Sequence, residues 1–295
     1  MQAPPRAGSD WTIPQDWDRY TAEEHAVWDT LFTRQSDMLE GRVTSAFRRG
    51  LDVLRLSRPG IPDFAELSQC LEVLTGWRVV AVPGLVPDQV FFEHLANRRF
   101  VAGRFIRRPD QLDYLQEPDV FHDLFGHVPL LSDTAFADYM QAYGAGGLRA
   151  QQFGALEKLA RLYWYTVEFG LIATAEGLRI YGSGILSSAG ESVYSLDDAH
   201  PHRLRFDLRR VMRTQYHIDR YQQTYFVIDD FQQLFAATRP DFAPIYREIA
   251  MLPELPAEAI LPGEREYAAF PVGQKRRAAH QRGPSLGRKR LEDVR

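Results

Sequence analysis

The chain has 295 residues, 45% of them hydrophobic and 25% charged, with a formal net charge of −4, a composition ordinary for a soluble globular protein of one large domain. That charge carries no nucleic-acid footprint, and without a run of about 18 apolar residues no membrane span is expected. The single cysteine, Cys70, excludes an internal disulfide framework and fits a reducing compartment; its helical apolar surroundings lead us to expect a core thiol.

Residues 1–16 are rich in Pro, Gly and Ser and read as a flexible N-terminus. They lack the charged-then-apolar layout of a signal peptide, so a cytoplasmic protein is expected. Thr21 and Glu24 form a capping-box pattern that opens a helix carrying Val27, Trp28, Leu31 and Phe32. A second helix is predicted over 37–56, stopped by Ser57, Arg58, Pro59 and Gly60. A third spans 63–74, with Gly76 suited to its C′ position. Residues 77–82 are β-branched and strand-like. Pro83 and Gly84 turn the chain, Asp88 starts a short helix with Phe91, Phe92 and Leu95, and 100–106 reads as a second strand.

Residues 117–129, EPDVFHDLFGHVP, hold two histidines and three carboxylates between apolar flanks. Neutral imidazole is the commonest side-chain ligand of a transition metal, so the stretch reads first as part of a metal site. A helix follows over 133–143, then a glycine-rich connection over 144–154. Leu156, Leu159, Leu162, Tyr163, Thr166, Gly170 and Ala173 recur at helical steps and predict the strongest helix of the chain over 155–174. Residues 177–186 suggest a short hairpin or loop. Helices are predicted at 187–196, 206–214, 230–238 and 242–251, and a strand at 224–228. From residue 273 the sequence is rich in Arg and Lys with almost no large apolar residues, a basic, disordered tail more readily solvated than bound to nucleic acid. The fold class expected is α+β, mainly helical, with one catalytic domain over 17–272 and a small sheet.

The third ligand must come from elsewhere. Glu168 sits in the apolar run VEFGLI, and a buried unpaired carboxylate costs several kcal/mol, so buried acids are paired or bind metal. A surface glutamate, or a partner of Lys158 or Arg161, is the alternative. His122 and His127 are offset by five, which on a regular helix separates the side chains by roughly 140°. They can share a metal only if the segment is irregular, and Gly126 and Pro129 offer that. The zincin pattern has an offset of four and a Glu after the first histidine; here the residue is Asp123. Two histidines and a carboxylate with open positions form the facial triad of non-haem Fe(II) enzymes, with zinc on the same ligands as the competitor.

Three strings, EPDVFHDLFGHVPLL at 117–131, LYWYTVEFGL at 162–171 and YGSGILSSAGE at 181–191, resemble the pterin-dependent aromatic amino acid hydroxylases, and the similarity runs over roughly 80–235. In length the chain is most similar to the bacterial members that hydroxylate phenylalanine. It has no room for the regulatory domain of the animal enzymes and lacks their heptad helix, so a monomer is expected. The resemblance implies that His122, His127 and Glu168 hold Fe(II) and are catalytic. It implies that Arg107 grips the substrate α-carboxylate, a task for its planar fork, with Asp119 supporting it. Ser187 would orient a ligand histidine or the substrate, and Pro118, Trp164 and Phe169 would wall the ring. Phe91 would stack on the pterin, with Gly84, Leu85 and Val86 along its edge and Asp123, where the animal enzymes have Glu, also at the cofactor. Glu191 and Tyr163 would lie close by. Leu115 replaces a hydroxyl side chain near the substrate and leaves that contact open.

The implied reaction converts L-phenylalanine to L-tyrosine with O2 and a tetrahydropterin, tetrahydrobiopterin or a relative. Ile218, apolar where the family sets substrate preference, leans toward phenylalanine, since a site built for a hydroxyl would need a polar partner. A tryptophan or tyrosine hydroxylase stays open, as do, outside the class, a zinc hydrolase and a metal-stabilised binding protein.

Overall fold

A computed structural model describes residues 10–113 and 117–269. The predicted basic tail from 273 and the position of Leu115 lie outside them, as do the first nine residues of the predicted N-terminal arm. Within that arm Ile13 is buried and donates its N–H to the Ala81 carbonyl at 2.9 Å.

Helix α1 (Ala22–Met38) starts as its capping box requires: the Thr21 hydroxyl accepts from Glu24 N–H at 3.2 Å, and the Glu24 carboxylate accepts from Thr21 N–H at 2.7 Å. The helix expected over 37–56 is corrected. Residues 37–38 still belong to α1, and α2 begins only at Ser45 (Ser45–Val53). Gly41 takes φ 71° between them, and Val43 makes a parallel bridge to Ile180. Pairing with a distant strand thus overrides a local helical pattern. Helix α3 (Phe64–Thr75) ends on Gly76 at φ 76° as expected. Cys70, however, is exposed. The buried stripe of α3 is Phe64, Leu67 and Leu71, and Cys70 stands off it, which corrects the expectation of a core thiol.

Strands β1 (Arg78–Val82) and β2 (Arg99–Gly103) pair in parallel around α4 (Asp88–Ala96). β2 stops before the predicted residue 106. The connection expected over 144–154 is also corrected, because α5 (Thr134–Gln152) runs through it. Two of its glycines, Gly144 and Gly147, are contact points with α4. A Cβ at Gly144 would strike Leu95 and the Ala96 backbone, and one at Gly147 the Phe92 ring. Packing outweighs the roughly 1 kcal/mol that each glycine costs a helix.

The long helix predicted over 155–174 is three elements. Helix α6 (Leu156–Tyr163) passes into a π-helical turn, Trp164–Glu168, and the chain then enters β3 (Leu171–Thr174). β3 pairs antiparallel with β4 (Gly177–Ile180) and parallel with β6 (Thr224–Ile228), which also pairs with β5 (His202–Arg205), a strand the sequence reading missed. Sheet pairing again claims residues whose spacing alone reads as helix. The short helix α7 (Ser183–Leu186), α8 (Ala189–Asp197), α9 (Leu208–Arg213), α10 (Phe231–Thr238) and α11 (Phe242–Ala250) complete the fold. Among the described residues no helix is long and apolar enough to cross a membrane.

The segment bearing the two histidines rests on an aromatic floor. Phe121 stacks on Phe125 at 4.8 Å, with Trp28 edge-on to Phe121 at 5.3 Å and Phe47 edge-on to Phe125 at 5.6 Å. Helix α2 abuts the same segment so closely that a Cβ on Gly50 would overlap the Pro129 carbonyl. Gly50→Ala is therefore expected to destabilise by about 1–3 kcal/mol, the cost of overpacking against backbone. Denaturant unfolding measures it, and an unchanged midpoint would mean the two segments part freely.

Candidate active site

The offset of five is explained by a π-helix over His122–His127. Its hydrogen bonds join residues five apart rather than four, so side chains that an α-helix would splay fall on one face. The two Nε2 atoms lie 3.1 Å apart. Glu168, at the end of the second π-helical turn, closes a triangle: Oε1 is 3.2 Å from His127 Nε2 and Oε2 is 3.7 Å from His122 Nε2. Metal–ligand bonds of about 2.1 Å at right angles put neighbouring donor atoms about 3 Å apart, so three groups at these spacings fit one face of an octahedral ion. Asp123 also comes within 4.8 Å of both imidazoles, but Glu168 makes the close approaches, and Asp123 Oδ2 accepts from Gly103 N–H at 2.7 Å.

Electrostatics hold His122 and Glu168 in ligand form. Burial pulls the His122 imidazolium down to about 4, against an opposing pull from Glu168. Burial alone would raise the Glu168 carboxyl, but His127, His122 and the Ser183 hydroxyl outweigh it and hold it at about 2. Neutral imidazole and ionised carboxylate are the states a metal needs. The tautomer follows from the hydrogen bonds. Ser187 Oγ donates its one hydrogen to the Ser183 carbonyl at 2.9 Å, so at 2.8 Å it accepts from His122 Nδ1–H. That leaves the Nε2 lone pair facing the centre. Ser183 Oγ in turn lies 2.8 Å from Glu168 Oε2. Sequence reading missed Ser183; its one signal was the pair of flanking glycines. A Cβ on Gly182 would overlap the backbone at Glu168 and Gly170, and one on Gly184 would crowd the Phe169 ring.

A cavity of about 670 Å³ opens beside the triangle. Arg107, Pro118, His122, Trp164, Phe169 and Ser187 all line it, with Ile218 at its exposed rim. Arg107 and Asp119 are 8% and 0% exposed and bidentate, Nε–Oδ2 2.8 Å and Nη2–Oδ1 2.9 Å. Asp119 also accepts from the backbone N–H of Arg107 and of His122. Burial would raise its carboxyl, but Arg107 and these N–H groups keep it below the usual value. Arg107 Nη1 makes no hydrogen bond among the described residues, so Asp119 leaves a donor free on a side chain that lines the cavity.

The proposed cofactor residues fall elsewhere. Phe91, Gly84, Leu85, Val86 and Asp123 do not line this cavity. Phe91 meets Tyr163 at 5.7 Å, and Tyr163 stacks on His127 at 6.2 Å, which puts Phe91 on the His127 side of the triangle. Leu85 is 82% exposed.

Residues 12–251 match the model of the biopterin-dependent aromatic amino acid hydroxylases. The chain is 62% identical to the phenylalanine-4-hydroxylase of Caulobacter vibrioides over 261 residues, 88% of this chain and 89% of that one. It is likewise 62% identical to that of Chromobacterium violaceum over 242 residues, 82% of each. Among solved structures, the iron- and phenylalanine-bound phenylalanine hydroxylase of C. violaceum superposes with a TM-score of 0.84 at 56% identity, covering 88% of this chain and 94% of that one.

Proposed function

This chain belongs to the biopterin-dependent aromatic amino acid hydroxylases, and from that premise we propose that it is a phenylalanine 4-monooxygenase. It converts L-phenylalanine to L-tyrosine with O2, using iron and a tetrahydropterin. The observation that carries the reading is that two members of the ligand triangle, His122 and Glu168, line one cavity with a buried guanidinium, while His127 closes the triangle behind them.

His122, His127 and Glu168 would hold the iron. Iron and pterin, when bound, supply O2 activation and the reducing electrons; that chemistry is theirs. The chain's own residues bind, orient and exclude water. Arg107 takes the substrate carboxylate with the donor that Asp119 leaves free, and Asp119 fixes the guanidinium plane beforehand, so little freedom is lost on binding. Pro118, Trp164 and Phe169 supply an apolar wall for the ring. The one polar side-chain atom of these three residues, Trp164 Nε1, is spent on Gln222 Oε1 at 2.9 Å. The wall therefore presents no partner for a ring hydroxyl, which favours phenylalanine over tyrosine. Ser187 keeps the His122 lone pair aimed at the centre. Phe91, Gly84, Leu85, Val86 and Asp123 are the candidates for pterin contact. A monomer acting in the cytoplasm belongs to the same reading.

Ser187→Ala is expected to weaken iron binding about 10–100-fold, the usual cost of losing a group that orients a ligand histidine; iron titration measures it, and unaltered affinity would remove Ser187 from that role. The function itself is tested by incubating the purified protein with Fe(II), tetrahydrobiopterin and, separately, phenylalanine, tyrosine and tryptophan. Tyrosine from phenylalanine is expected as the dominant turnover; its absence would overturn the reading.

A further inference from the structure

Glu191 is a buried acid that neither the metal triangle nor the Arg107 grip uses. It stands in the first turn of α8, where an acid ordinarily faces solvent near the helix N-terminus. Here it turns inward, 6% exposed, and lines the substrate cavity. Oε1 accepts from Gln222 N–H at 3.1 Å and from Tyr225 Oη–H at 2.8 Å. Gln222, 4% exposed, has both ends of its amide committed. Nε2 donates to the His217 carbonyl at 3.1 Å, and Oε1 accepts from Trp164 Nε1–H at 2.9 Å. Because indole N–H can only donate, the amide has one usable orientation. The indole is in turn held between Tyr216 at 4.3 Å and Phe169 at 4.7 Å.

We infer that Glu191 is a positioning residue for the ring wall of the substrate cavity, acting through Gln222 on the indole of Trp164. The inference rests on the proposed reaction and deepens it by assigning ring selectivity to a second set of residues. Residues 218–222 line the cavity, and Glu191 fixes their C-terminal end. An apolar residue in place of Glu191 would leave the buried Gln222 N–H and Tyr225 hydroxyl without an acceptor, so the segment would shift to satisfy them. Trp164 would lose its fixed plane, while Arg107 and the three ligands, held by other partners, would not.

The test compares iron-loaded wild type with Glu191→Gln, Glu191→Ala and Gln222→Met. Each is assayed for kcat/KM on phenylalanine and tryptophan, tyrosine formed per pterin oxidised, and iron content. Glu191→Ala and Gln222→Met should lower the phenylalanine-over-tryptophan ratio about tenfold, the worth of one hydrogen bond. The change should come through a raised KM for phenylalanine and less tyrosine per pterin, with iron content unchanged. Glu191→Gln keeps an acceptor for both donors and should stay within about twofold of wild type. An unchanged ratio in the first two variants, or a Glu191→Gln as impaired as Glu191→Ala, overturns the inference. If Glu191→Ala does not fold, Gln222→Met decides alone. A wild type that forms no tyrosine strikes instead at the proposed reaction. The plane of Trp164 in crystals of Gln222→Met then still decides, displaced in support and unmoved in refutation.

Discussion

Glu168→Ala is expected to lose iron and hydroxylation together, with turnover down on the order of 10³-fold or more, because the metal's contribution is several kcal/mol and each 1.36 kcal/mol is tenfold. Two imidazoles 3.1 Å apart remain, but a face of three ligands becomes an edge of two. The carboxylate is also the only anion in the triangle, so its loss removes the charge that compensates a divalent ion beside a neutral His122. Glu168→Gln separates the two contributions, since it keeps the shape and an oxygen donor but not the charge; it should retain more iron than Glu168→Ala and still fall well short of wild type. Metal analysis alongside turnover reads both. A Glu168→Ala protein with full iron and full activity would hand the third position to Asp123, which already stands within 4.8 Å of both imidazoles.

Asp119→Ala carries the second large effect, and it falls on stability as well as on substrate binding. Removing the acid strands a buried guanidinium, and breaking a buried pair from one side costs about 3–5 kcal/mol. The same change leaves the backbone N–H groups of Arg107 and His122 without their acceptor, so both the carboxylate grip and the entry to the π-helix loosen. Chemical denaturation should show the loss, and the double variant Asp119→Ala/Arg107→Met should recover part of it because no charge is then left unpaired. KM for phenylalanine should rise in both. The pH dependence follows from the sign of the shift. Asp119 titrates below its usual 3.8 in the folded protein, so its contribution is fully present above 3.8 and lost as pH falls through the folded value. Asp119→Ala should flatten that part of the acid limb. Equal stability of wild type and single variant at neutral pH would show that the pair is energetically idle.

The residues of the candidate site were more legible than the elements that carry them. His122 and His127 stand out because two imidazoles beside acids in apolar sequence read as metal ligands and their spacing argues against the zincin helix, whereas Glu168 joins them through the family resemblance, its apolar setting alone leaving a surface or ion-paired role open. What spacing could not reveal is that two π-helical turns, His122–His127 and Trp164–Glu168, do the aligning. An offset of five demands irregularity without saying which kind. The element boundaries failed wherever distant pairing competed with local pattern. Residues 171–174 have helical spacing but are claimed by β4 along their length and by β6 at Leu171 and Ile172, and Val43 is drawn to Ile180. Gly144 and Gly147 look like breakers until α4 is packed against them. Arg107 read alone is an ordinary surface arginine, since nothing local announces that Asp119 buries it. Ser183, Gln222 and the inward turn of Glu191 depend on contacts across the fold, which no local pattern encodes.

The most direct test of phenylalanine 4-hydroxylation is an isotope experiment. The iron-loaded protein is supplied with tetrahydrobiopterin and phenylalanine under ¹⁸O₂, and the product is examined by mass spectrometry. The account predicts tyrosine carrying one ¹⁸O on its ring and none from ¹⁸O-labelled water in the reciprocal experiment. Tyrosine labelled from water, or no tyrosine from a protein that holds iron, would contradict it.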